Sequence, residues 1–105
     1  MFIFESEKAV LQCWSMGYRN CVATGGKTIS SYQIEMIIRL GADPIICFDK
    51  DVKQSELEDI SNKFIDGVSV YAIIDKQNIL NDKESPSDNQ SKFLQLIENN
   101  VYRIR

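Results

Sequence analysis

Four times along this chain a short apolar run gives way to a stretch with helical periodicity. "MFIFE" precedes "SEKAVLQCWSMGY", where Val10, Trp14 and Gly17 recur at helical spacing beside Ala9, Cys13 and Met16, with Ser6 as the N-cap. "NCVATGG" precedes a helix opened by Ser30, with Gln33 placed as in a capping box and an inner stripe of Ile34, Ile37 and Ile38. "DPIICFD" precedes a helix opened by Ser55 and Glu58, with Leu57, Ile60 and Phe64 as its apolar face. "VSVYAIID" leads through the polar loop "KQNILNDKESPSDNQ" to a last helix, capped by Asp88 and striped by Phe93, Leu94 and Ile97. The tail "VYRIR" alternates like a short edge strand. Strand–helix alternation of this kind predicts an α/β fold: a central parallel four-stranded sheet flanked by helices on both faces.

The 105 residues are one domain's worth, and 44% hydrophobic content is that of a globular chain. No apolar run approaches the ~18 residues of a membrane span. The N-terminus has no basic segment ahead of an apolar one, so it does not read as a signal peptide, and the expected location is the cytoplasm. A net charge of −3 argues against gripping nucleic acid by bulk electrostatics. Histidine is absent, which removes Ser-His and Cys-His nucleophile chemistry and histidine-bound zinc from anything this chain does alone. Cys13, Cys21 and Cys47 lie far apart in apolar surroundings and read as small buried hydrophobes.

Ligands of an open α/β sheet gather at the carboxyl ends of its strands. There the first run ends in Glu5, the second in Thr24-Gly25-Gly26-Lys27, and the third in Asp49 and Asp51. The fourth ends at Asp75, and the following loop carries Asp82, Glu84 and Asp88. Clustered carboxylates repel unless a cation sits among them. Oxygen ligands without histidine or cysteine suit Mg2+ or Mn2+. Taken singly, each signal reads as structure: a DxD as a turn, a Gly-Gly as a bend, Lys8 and Lys27 as solvated surface. Their coincidence on one rim is what points to a metal and, through it, to phosphate.

The segments "GYRNCVATGGKTISSYQIEMIIRLGADPIICFDKD" and "NDKESPSD", with a glutamate ending the first strand, resemble the Toprim domain. That domain is shared by DNA primases, type IA and type II topoisomerases, and some nucleases and repair proteins. The likeness is nearest to primases of bacterial type, and "ESEKAV" is similar to primase-like proteins of phages and mobile elements. The resemblance implies a Rossmann-like sheet and a catalytic set of Glu5, Asp49 and Asp51. It implies Mg2+ or Mn2+ held among Glu5, Asp49, Asp51, Asp82 and Asp88, and phosphate or nucleotide contacts from Lys8, Gly25, Gly26 and Lys27. Three positions depart from the primase pattern: Ser6 and Lys50 stand where primases have glycine, and Ser85 where they have an acid before the proline.

The function expected on this basis is nucleotidyl transfer for RNA primer synthesis in DNA replication. The chain would be a single Toprim domain over residues 1–105 of a longer primase-like protein. Its partners would be nucleoside triphosphates, a single-stranded DNA template held by flanking regions and a replicative helicase, with no membrane. One alternative on the same scaffold is a Toprim nuclease. Alternatives of another class are a receiver-like phosphoacceptor, which expects a lysine after its fifth strand, and a non-catalytic binding module.

Overall fold

The run Phe2–Phe4 forms strand β1, and all of its side chains are buried. This is the signature of a strand covered on both faces. The structure is a computed structural model that describes residues 1–26, 29–49, 52–64, 67–81 and 84–105. After β1 come α1 (Glu7–Ser15), β2 (Cys21–Ala23), α2 (Ser31–Arg39), β3 (Ile45–Ile46), α3 (Gln54–Ser61) and β4 (Tyr71–Ile73). A 3-10 turn (Pro86–Asp88), α4 (Gln90–Asn99) and β5 (Val101–Arg103) complete the chain. The sheet order is β2-β1-β3-β4-β5. β1 pairs in parallel with β2 and β3, and β3 with β4. The predicted four parallel strands are therefore present, and the alternating tail adds β5 antiparallel to β4, with Tyr71 opposite Arg103.

Side chains alternate across the sheet and divide the core in two. Ile3, Ile46, Phe48, Val70 and Ala72 pack with Ile34 and Ile37 of α2 and Leu57 and Ile60 of α3. Phe2, Phe4, Cys21, Cys47 and Ile73 pack with Ala9 and Cys13 of α1 and Phe93 and Leu96 of α4. Helices α2 and α3 thus cover one face, and α1 and α4 the other.

Local signals set the helix starts. Ser6 accepts from the Ala9 N–H at 3.3 Å, and Ser30 and Gln33 form the reciprocal box foreseen in the sequence. Three expectations are corrected. Helix α3 begins at Gln54, because Glu56 reaches back to the Lys53 N–H at 3.1 Å and closes the first turn ahead of Ser55. Asn89, not Asp88, caps α4, accepting from the Lys92 N–H at 3.1 Å. The buried stripes are Ala9/Cys13 and Phe93/Leu96, four and three residues apart. Trp14, 47% exposed, instead lies beneath the Arg19 guanidinium. Leu94 is left at the surface.

All three cysteines are buried free thiols, as read from their surroundings. Burial takes Cys13 up to about 12 and raises Cys47 well above its ordinary value. The native state therefore keeps protons that an unfolded chain releases from about pH 8.5 upward. This stabilisation is complete below that pH and is lost as pH climbs toward the folded-state values. The slope is at most ~1.4 kcal/mol per pH unit per thiol. Urea unfolding at pH 8 and pH 10 should show the fall, and Cys47→Ala should make it shallower; equal slopes in both proteins would contradict it.

Candidate active site

The sheet order places a topological switch between β1 and β3. From β1 the chain crosses through α1 on one face to β2; from β3 it leaves through α3 on the other. Loops that part to opposite faces open a crevice at the carboxyl ends of the two strands, where ligands of such sheets bind. Glu5 follows β1 directly, and Asp49 lies three residues past Ile46, the end of β3. The Asp49 N–H donates to Glu5 Oε1 at 3.2 Å. Residues 44 apart in sequence thus meet at the crevice, both half-buried.

Glu5 is also tied on its other side. Its carbonyl accepts from the Gly25 N–H at 2.9 Å, while the Thr24 N–H donates to the Phe4 carbonyl at 2.9 Å. Gly25 sits at φ +82°, a left-handed conformation that costs a residue with Cβ about 1–3 kcal/mol. Among the described residues, chain neighbours aside, no atom lies within 4 Å of a Cβ built there, so the penalty is conformational and not a clash. Gly25→Ala should therefore lower stability by about 1 kcal/mol or more and Gly26→Ala, at ordinary φ, by less. Denaturant midpoints of the two variants check this, and equal midpoints would refute it.

The remaining acids of the rim separate into groups. Both Asp75 oxygens are committed, accepting from the Ile79 and Leu80 N–H groups at 2.8 Å each. Glu84 pairs with Lys92 at 2.8 Å and accepts from the Asn81 N–H at 3.0 Å. Asp88 is exposed and closes the 3-10 turn by accepting from the Ser85 N–H at 3.0 Å. These carboxylates shape the loop after β4. Counting acids in the sequence cannot tell them from Glu5 and Asp49. The pattern S-x-x-D at Ser85–Asp88 carried the signal for this box, since it is capping-box spacing. Lys8 is exposed in the first turn of α1. Lys27, Asp51 and Asp82 lie outside the described residues.

Sequence reasoning missed how the loop is attached. Ser87 is 1% exposed and donates to Gln12 Oε1 of α1 at 2.8 Å, across 75 residues of sequence. Pro86, also buried, lines a cleft of about 180 Å³ together with Phe48, Asp49, Ile73 and Leu80. The 3-10 turn is thus fastened to α1 on one side and forms a wall beside Asp49 on the other.

Among the described residues no three acidic, cysteine or histidine side chains group as a metal site. The contact between the two residues joins the Asp49 backbone to the Glu5 carboxylate; an ion such as Mg2+ or Mn2+ keeps several waters and needs only one or two carboxylates, completing its shell with substrate phosphate. The donors are hard oxygens throughout, so the residues present fit such an ion.

The sequence matches the Toprim-like family over residues 2–57, from β1 into the first half of α3. The chain belongs to the Toprim-like family. Its fold is similar to the crystal structure of a DNA primase domain from Pseudomonas aeruginosa, with a TM-score of 0.71 and 22% identity. The alignment covers 99% of this Toprim-like chain and 34% of the primase chain, so the chain spans about a third of that protein's length. Comparison with curated proteins returned no match. No helix among the described residues is long and apolar enough to cross a membrane.

Proposed function

We propose that this Toprim-like chain is the metal-binding core of a primase-like protein and supports nucleotidyl transfer in RNA primer synthesis. The observation that carries this reading is the contact between Glu5 and Asp49 at the switch point of the sheet. Glu5, Asp49 and Asp51 would hold Mg2+ or Mn2+, with Asp82 and Asp88 as further candidates. When bound, the ion supplies charge neutralisation at the triphosphate and lowers the pKa of the attacking hydroxyl.

The chain's own residues prepare the rim. The Asp49 N–H orients the Glu5 carboxylate, and the Gly25 N–H fixes the backbone of Glu5. Buried Phe48 and Cys47, the latter donating from its N–H to the Ile3 carbonyl at 2.7 Å, hold the start of the Asp49 turn against β1. Lys8, Gly25, Gly26 and Lys27 are the candidates for contacting nucleotide phosphate. Template and helicase contacts would come from other parts of a longer protein.

A receiver-type phosphoacceptor is disfavoured by β5. A receiver needs a lysine after its fifth strand on the acidic rim, whereas β5 runs antiparallel and its carboxyl end lies at the opposite edge of the sheet. The proposal is tested on the longer protein it implies, incubated with nucleoside triphosphates, single-stranded DNA and Mn2+. Template-dependent dinucleotide formation that disappears in Glu5→Gln is the expected result. Nicking of DNA without nucleotide incorporation would establish the nuclease alternative instead.

A further inference from the structure

The cleft beside Asp49 is lined mainly by apolar residues and is not used by the function proposed above. Its walls come from the ends of β3 and β4 and from the loop that Asp75 closes: Phe48, Leu57, Ile73, Leu80 and Pro86 are all buried apolar residues. Half-buried Val52 and Ile74 complete the apolar lining. Three polar residues also line it: Asp49 on the side of Glu5, Gln54 in the first turn of α3, and Asp75, whose carboxylate is held by the Ile79 and Leu80 N–H groups. At about 180 Å³ it is smaller than the ~300 Å³ and upward that encloses a drug-sized ligand, and suits a single flat ring system.

We infer that this cleft receives the nucleobase of the nucleotide whose phosphates meet the metal; the inference rests on the function proposed above. The layout follows the strand order. Phosphate would be drawn to the ends of β1 and β3, where Glu5 and Asp49 meet, and the cleft opens one strand further on, between β3 and β4. Adjacent strands are ~4.8 Å apart, so the base slot begins within a ribose's reach of the phosphate site. A base is apolar on its faces and polar at its edge. The apolar walls accept the faces, and the Gln54 amide, which both donates and accepts, can meet the edge of any base. The cleft therefore binds bases with little preference among them, as a template-directed enzyme requires.

The test is a methyl NMR titration of the full chain with adenosine and with uridine, without metal. Saturable shifts confined to the methyls of Val52, Leu57, Ile73 and Leu80, with those of Ile37 and Leu96 unmoved, are expected for both nucleosides. Unmoved cleft methyls, or equal shifts throughout the core, would overturn the assignment. A second measurement compares a nucleoside triphosphate with inorganic tripolyphosphate in Mn2+. The nucleotide should bind about tenfold more tightly or better, and Val52→Trp, which fills the slot, should abolish that advantage and leave tripolyphosphate affinity unchanged. Equal affinities in wild type would also overturn it. Failure of Mn2+ itself to bind would refute the proposed function, while the nucleoside shifts would still decide the cleft.

Discussion

Asp49→Ala should reduce Mn2+ affinity by at least ~100-fold and leave the fold intact. Replacing groups that merely support a metal ligand lowers affinity by roughly 10–100-fold, so loss of a ligand must reach or pass that range. Asp49 is half-buried, and its N–H, which orients Glu5, belongs to the backbone and survives the substitution. Isothermal titration with Mn2+, set against far-ultraviolet circular dichroism of both proteins, measures the two effects separately. Glu5→Gln gives the complementary result: the amide oxygen still accepts from the Asp49 N–H, so structure persists, while the negative charge is gone and affinity falls comparably. If wild type shows no saturable binding, or if Asp49→Ala binds as well as wild type, these carboxylates are not a metal site.

The second large effect is on stability. Phe93 of α4 is fully buried and meets Phe2 of β1 edge-on at 5.6 Å, Tyr18 at 5.5 Å and Phe4 at 6.2 Å. Phe93→Ala removes a large core side chain and leaves a cavity, a loss of about 3–5 kcal/mol. Edge-to-face contacts add to this. Domains of this size have only ~5–15 kcal/mol in total, so the melting midpoint should drop by more than ~10 °C. Phe93→Leu, which keeps most of the volume, should recover much of the loss. Thermal scans of the two variants decide the matter, and a midpoint within a few degrees of wild type for Phe93→Ala would contradict the packing described. Phe93 packs on the face of the sheet covered by α1 and α4, whereas the candidate site lies at the carboxyl ends of the strands, so Phe93→Leu should retain Mn2+ binding.

Particular residues show what was legible in the chain before it folded. Ser6 and Ser30 opened helices where they were expected, because a cap is an interaction within four residues and needs no tertiary partner. The buried runs around Ile3 and Ile46 read as strands for a similar reason: continuous apolarity is the local mark of a strand covered on both faces. The Val10/Trp14 stripe failed because α1 has apolar residues on two flanks, and only the packing of β1, β2 and α4 determines that Ala9 and Cys13 turn inward. Capping at Ser55 failed because Glu56 offers a competing box two residues earlier.

The candidate site divides along the same line. Local composition by itself determined that acids follow the apolar runs, since strand ends are where buried chain meets water. It determined the α/β class too, because alternating periodicities permit few arrangements. Only the tertiary structure decided which acids meet. Asp75, Glu84 and Asp88 found backbone amides within their own loop or Lys92 in the first turn of α4, whereas Glu5 and Asp49 were brought together by the parallel pairing of β1 with β3. A hydrogen bond across 44 residues depends on strand order, and strand order is set by how two hydrophobic faces are covered at once, which no local stretch of sequence encodes.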